Sequence, residues 1–310
     1  MTRDGSMAEF FLGVYGHTVL DHIITVPRLP PPNTSIELID RQVFFGGTGA
    51  NIARTASSLG VRTALSSFVG EDFPADYEEA LRAADVDISE LVKVEGYSTP
   101  VAWIFSDQEH NQVCVIDQGP YRDSGTFDVR ENTVRHSEIV HICTGRPEYY
   151  IKVIDLALEL GRKVSFDPAQ EIHYVYDKDT FNQFLRRTDQ FFANESEIRT
   201  ALKFTGLRKM EELAEIVDLL VVTLGEKGSL IFHEGERHEI PAIRPDRTEE
   251  ATGMGDAYRA GFYAAWSRGM DFIKCGWAGS ATASFAMESR GGQTNVPTWE
   301  DVLLRVEENL

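Results

Sequence analysis

Gly253-Met254-Gly255-Asp256 leads into the run Ala257 to Trp266, which has Gly261 as its only glycine and no proline. The pattern predicts a tight glycine turn opening onto a helix. The first amides of a helix lack partners inside it, and the helix dipole adds positive potential there, so such a turn can hold an anion. An aspartate beside an anion cradle is badly sited for binding alone, because like charges repel. It makes chemical sense if Asp256 accepts the proton of a hydroxyl whose oxygen then attacks a phosphoryl group in the cradle. The plainer alternative is a turn whose aspartate caps its own helix. This stretch by itself leaves both readings open.

Other segments carry complementary chemistry. Gly46-Gly47-Thr48-Gly49-Ala50-Asn51 also runs straight into a helical pattern. Its glycines let a ligand approach the backbone, and the Asn51 amide offers both donor and acceptor to a polyhydroxyl compound. Alternatively, Asn51 satisfies local backbone at an ordinary strand-to-helix turn. Asp21 lies just beyond the first strand candidate, where ligands of open α/β sheets bind, and its two oxygens suit two vicinal sugar hydroxyls. Thr223-Leu224-Gly225-Glu226-Lys227-Gly228 separates two apolar strand candidates; a hairpin explains it, yet its glycines also leave amides clear for nucleotide phosphates. Asn194 and Glu197 have the spacing of a capping box. Their functional alternative is to hold waters around a magnesium ion, which keeps much of its hydration shell.

The elements that must position these residues follow from periodicity. Strand-length apolar runs at Phe10–Tyr15, Thr63–Val69, Ile139–Cys143, Lys163–Phe166, Gln190–Ala193 and Leu219–Thr223 alternate with amphipathic segments. The latter include Gly49–Leu59, Asp76–Ala84, Tyr149–Leu160 and Ser196–Phe204. This βαβ alternation predicts an α/β fold with a mostly parallel sheet covered by helices on both faces. Two stretches break the pattern. Asp21–Phe45 is extended around a proline-rich turn, and Val101–Asp117 reads as a hairpin. They predict a small β lid formed by residues 21–45 and 98–117, over a large domain of residues 8–20, 46–97 and 118–310.

Composition narrows the function. The formal net charge is −19, which argues against nucleic-acid binding, so any phosphate must be held by local amides, a metal ion and a few cations. No apolar run approaches a membrane span, and the N-terminus lacks the pattern of a secretion signal, so a cytoplasmic location is expected. Cys114, Cys143 and Cys275 are far apart, which favours core packing over a zinc site. The P-loop pattern, GxGxxG after a strand, HExxH and GxSxG are all absent.

Taken in order along the chain, Asp21, Gly46-Gly47 with Asn51, Asn194 to Glu197, Thr223 to Gly228 and Gly253 to Asp256 resemble the ribokinase-like, or PfkB, carbohydrate kinases. The resemblance runs from Phe10 to the end of the chain. It implies a three-layer sandwich with a β lid, ATP and Mg2+ as cofactors, and Asp256 as catalytic base beside an anion hole of Gly253, Met254 and Gly255. It further implies that Asp21, Gly46, Gly47 and Asn51 hold the sugar. By the same resemblance, Asn194, Thr223, Gly225 and Gly228 line the ATP site and Glu197 organises magnesium through water. Cys143 to Pro147, Phe166 to Glu171, Ala281 to Phe285 and Gln293 to Trp299 are similar to the family's archaeal nucleoside kinases. That implies a nucleoside 5′-hydroxyl as acceptor, with Gln170 and Gln118 either as base or ribose contacts or as plain loop residues.

Two departures from the family pattern bear on this. Glu250-Ala251-Thr252 replaces the usual Asp-Thr-Thr or Asp-Pro-Thr, leaving a monovalent-cation requirement open. Met254 replaces the usual Ala, though its amide can still serve the anion hole. The same residues admit a ribokinase or sugar-phosphate kinase, with Arg146 or Arg41 as the phosphate's partner. They also admit a non-catalytic nucleoside or nucleotide sensor. Apolar residues Ile36, Leu38, Trp103 and Phe105 on the lid predict a homodimer.

Overall fold

The computed structural model describes residues 8–109, 111–249 and 252–310. In chain order the first half contains β1 (Phe10–Tyr15), β2 (Val19–Thr25), β3 (Asp40–Gly46), α1 (Thr48–Ser58), β4 (Thr63–Gly70), α2 (Ala75–Ala83) and β5 (Asp87–Val94). Next come β6 (Val101–Ser106), β7 (Gln112–Asp117), α3 (Glu131–His136), β8 (Ser137–Ile142), α4 (Pro147–Glu159) and β9 (Lys163–Phe166). These are followed by α5 (Lys178–Leu185), β10 (Gln190–Asn194), α6 (Glu195–Thr205), α7 (Met210–Ala214) and β11 (Leu219–Thr223). The chain ends with β12 (Ser229–His233), β13 (Glu236–Ile240), α8 (Met254–Trp266), α9 (Phe272–Ala286) and α10 (Trp299–Glu307).

Nine strands form one sheet in the order β13-β12-β11-β10-β9-β8-β1-β4-β5. It is parallel from β11 to β5, with β12 antiparallel to β11 and β13 antiparallel to β12. The pleat divides the apolar strand residues between two cores. Leu12, Val14, Leu65, Ile139 and Val221 face one, packed by α1, α8 and α9. Val140, Ile142, Phe166, Leu220 and Val222 face the other, packed by α4, α5 and α6. These are the three predicted layers. Strands buried on both faces read as unbroken apolar runs, which is why they stood out in the sequence.

The stretches that broke the βαβ pattern form a second, four-stranded sheet in the order β3-β2-β6-β7. Its β2 and β6 are parallel, while the β2–β3 and β6–β7 pairs are antiparallel. Val19, Ile23, Phe44, Ala102 and Ile104 make a small core of its own on one face. Cys143 and Cys275 are buried as expected, but Cys114 is exposed, because β7 is an edge strand with water on its outer side. No helix among the described residues is long and apolar enough to cross a membrane.

Candidate active site

The large sheet reverses its winding at β1. From β1 the chain proceeds to β4 and β5 on one side, then returns through β8, β9 and β10 on the other. Neighbouring connections therefore diverge beyond the carboxyl ends of β1 and β8, and open α/β sheets leave a crevice there. Cys143, Asp167 and Asn194 lie at or just beyond the ends of β8, β9 and β10 on this edge, whereas Asp21, expected just past the first strand, lies inside β2 of the small sheet, paired with Phe44 and Ala102. Asn194 stands beside Thr223 in the β10–β11 register.

Two helices begin with glycine caps and no capping side chain. Gly47 precedes α1 at φ 92° and Gly253 precedes α8 at φ 76°, left-handed conformations that strain any side chain. A Cβ on Gly253 would lie 2.6 Å from Gly292 Cα, and one on Gly46 would lie 1.9 Å from Asp21 Oδ2. Gly46 is thus the gap that admits the buried carboxylate of Asp21. At the start of α8 the amides of Met254, Gly255 and Asp256 form an uncapped first turn. Asp256 does not cap its own helix. Its Oδ2 instead accepts a hydrogen bond from Asn51 Nδ2 at 2.7 Å, joining the starts of α1 and α8.

Behind this pair lies a buried charge cluster. Arg259, one turn beyond Asp256, donates from Nε to Asp167 Oδ2 at 2.7 Å, from Nη2 to Asp167 Oδ1 at 3.3 Å and from Nη1 to the Gly255 carbonyl at 3.1 Å. Glu197, at the start of α6, accepts from the Asn194 amide and from Asn194 Nδ2, each at 2.7 Å. Asn194 Oδ1 in turn accepts from the amides of Ser196 and Glu197, completing the predicted capping box. Removal from water, helped by nearby Asp167, pushes the Glu197 carboxyl up to about 7. Asp256 is partly covered at the surface yet closely ringed by protein. Its desolvation outweighs the Asn51 hydrogen bond and the Arg259 charge, pushing it up to about 7 as well.

The remaining predicted residues are placed as follows. Gly225 and Gly228 bracket a short 3-10 turn, and Leu224 N donates to the Gly228 carbonyl in the hairpin that joins β11 to β12. Gln118 is tied inward: its Oε1 meets His17 Nε2 at 2.7 Å, and its Nε2 donates to Glu171 Oε1 at 3.0 Å. Gln170 is exposed on a 3-10 turn, whereas its neighbour Glu171 is buried and accepts from the Gly145 amide. Glu250 and Ala251 lie outside the described residues. Arg259, Asp167 and Gln293 escaped individual notice in the sequence. A lone arginine in the apolar run of α8 was the available signal for the first.

The sequence pattern of the pfkB family carbohydrate kinases matches residues 10–299. A nucleoside kinase from Methanocaldococcus jannaschii is 39% identical over 295 residues, covering 95% of this chain and 96% of that protein. Another, from Methanothermobacter thermautotrophicus, is 35% identical over 296 residues, covering 94% and 93%. The crystal structure of the M. jannaschii nucleoside kinase, an archaeal member of the ribokinase family, superposes with a TM-score of 0.91 over 98% of this chain and all of that one. A family pattern and a fold shared along nearly the whole length make this chain a member of the pfkB family of carbohydrate kinases, and an ATP-dependent kinase.

Proposed function

We propose that the chain transfers the γ-phosphoryl group of ATP to the ribose 5′-hydroxyl of a nucleoside, with Asp256 as general base. One observation carries the reading: an uncapped helix start and a carboxylate poised near neutrality occupy the same turn. A base titrating near working pH is present in its ionised form yet still accepts a proton readily. The nucleoside as acceptor is supported by the two full-length relatives, both nucleoside kinases.

In this mechanism the 5′-hydroxyl gives its proton to Asp256 as its oxygen bonds to the γ-phosphorus, and the bond to ADP breaks. Amides of Gly253, Met254 and Gly255 meet the charge on the transferring oxygens. Asp21, Gly46, Gly47 and Asn51 hold the ribose, Gln170 reaches the nucleoside, and Asn194, Thr223, Gly225 and Gly228 border ATP. The donor set suits magnesium: three buried or half-buried carboxylates, Asp167, Glu197 and Asp256, gather around one guanidinium, and burial together with nearby Asp167 pushes Glu197 up to about 7. Magnesium keeps much of its hydration shell, so Glu197 and Asn194 would hold it through water. Bound there, magnesium would neutralise phosphate charge. The small sheet acts as a lid that excludes water, the competing acceptor. Its exposed Leu38, Val43, Val113 and Val115, with Trp103 and Phe105 half-buried among them, pair with a second copy; a monomeric mass by light scattering at micromolar concentration refutes that pairing. ATP as donor accords with work in the cytoplasm.

Asp256→Asn is expected to retain nucleoside binding and to lose ~10²–10⁴ in turnover, the usual range for a missing general base. A panel of nucleosides and sugars with ATP, magnesium and ADP detection tests the acceptor. Phosphorylation of sugars alone replaces the nucleoside reading with a sugar kinase. Nucleoside binding without any product replaces it with a sensor.

A further inference from the structure

We propose that Gln293 is a positioning residue that sets the direction of a hydrogen-bond relay ending on Asp256, an inference that rests on the reading of Asp256 as the base. Gln293 is buried, 4% exposed, between α9 and α10. Its amide meets groups whose roles cannot be exchanged. Arg54, on α1, donates from Nη1 to Gln293 Oε1 at 3.2 Å and to the Gln293 carbonyl at 2.9 Å. A guanidinium only donates, so the side-chain oxygen of Gln293 must face it. Tyr77 donates its single hydroxyl proton to the Gly46 carbonyl at 2.6 Å. Toward Gln293 Nε2, 2.8 Å away, Tyr77 can therefore only accept.

These two contacts fix the Gln293 amide independently of each other. Its other Nε2 hydrogen then reaches Asn51 Oδ1 at 2.9 Å. With its oxygen so engaged, Asn51 must present Nδ2 to Asp256. A donor aimed at Asp256 favours the ionised carboxylate, the form that takes the hydroxyl proton, against the burial that favours the neutral one. A reversed Asn51 would offer its oxygen, to which only a protonated Asp256 could bond. Direction along the relay thus originates at Arg54 and Tyr77, neither of which contacts Asp256 in the hydrogen-bond pattern. The Tyr77 branch also ties the relay to the Gly46 carbonyl, beside the glycines assigned to the sugar.

The test is the pH profile of kcat/KM with the acceptor found in the screen, for wild type, Gln293→Glu and Gln293→Met. Gln293→Glu keeps the shape but puts an acceptor against Asn51, and Arg54 keeps the new carboxylate ionised, so Asn51 reverses. Its acidic limb is expected to move up by about one to two pH units, the effect of losing a hydrogen bond to a charged group, with activity recovering at high pH. Gln293→Met moves the limb the same way by less. A limb that stays put while activity drops equally at every pH overturns the relay and leaves Gln293 a packing role. Asp256→Asn separates the two claims. If it loses turnover while the Gln293 limbs stay unmoved, the base survives and the relay falls; if it keeps turnover, both fall. Should Gln293→Glu fail to show a cooperative thermal melt, Arg54→Met at the half-buried outer end is read identically: an upward limb supports the relay and an unmoved one overturns it.

Discussion

Asp256 is held between opposing influences. Burial raises its pKa, while the Asn51 hydrogen bond and the Arg259 charge lower it, leaving it at about 7. Two consequences follow from that value. In the free enzyme kcat/KM should rise with pH through about 7, as the base ionises; a flat profile from pH 5.5 to 8.5 would exclude Asp256 as the titrating group. Stability runs the other way. With its pKa raised above the ordinary aspartate range, the folded chain holds a proton that the unfolded chain releases. Stability is therefore lost as pH climbs from near 4 to about 7. Asp256→Asn removes that penalty and should stabilise the ligand-free protein at pH 7.5 by about 1–2 kcal/mol. Near pH 4, where the folded chain carries the proton and the unfolded chain carries it about half the time, the gain should shrink to a few tenths of a kcal/mol. Calorimetry at the two pH values checks this, and equal melting shifts at both would point away from carboxylate burial.

At the scale of elements, α8 does two jobs, presenting the glycine turn at its start and packing tightly against α9 along its length. Gly261 permits the second: a Cβ there would lie 2.3 Å from Thr282 Oγ1 and 2.6 Å from the Ala278 carbonyl. In an open helix Gly→Ala gains up to about 1 kcal/mol of propensity. Here a backbone oxygen on the facing helix blocks the methyl group, and overpacking of that kind costs about 1–3 kcal/mol. Gly261→Ala is therefore expected to lower the melting temperature despite its better propensity; a raised one would show that α9 yields. The buried Arg259–Asp167 pair ties α8 to the end of β9. Arg259→Met strands the Asp167 carboxylate, a change that costs about 3–5 kcal/mol in buried pairs. Denaturant unfolding measures the loss, and a change under about 1 kcal/mol would mean that water reaches Asp167.

For the molecule as a whole, the central question is how two sheets cooperate. Asp21 projects from β2 of the small sheet, whereas Asn51 and Asp256 belong to helices of the large domain. If the small sheet is a lid, bound nucleoside with a non-hydrolysable ATP analogue should slow amide hydrogen exchange in β2, β3 and β6. Unchanged exchange in those strands, with binding verified, would argue for a site that is already closed. The net charge of −19 makes the cradle matter more. A polyanionic substrate gains nothing from that overall field, so the proposed mechanism places its binding on groups at close range.

What the sequence determined by itself was local: strands buried on both faces, helices with one apolar stripe, glycine turns and the capping box at Asn194. Such features depend on neighbours a few residues away, so periodicity and residue type expose them. Edge strands were harder to read, since β5, with Asp87, Glu90 and Lys93, meets solvent and breaks the apolar run. Tertiary structure alone decided that Asn51 meets Asp256 across 205 residues, and that Gln293 meets Asn51 across 242. Packing of α1 against α8, and the turn before α10, create those contacts. No local pattern encodes which buried amide will face which carboxylate, because that choice is made by partners brought together only when the layers close.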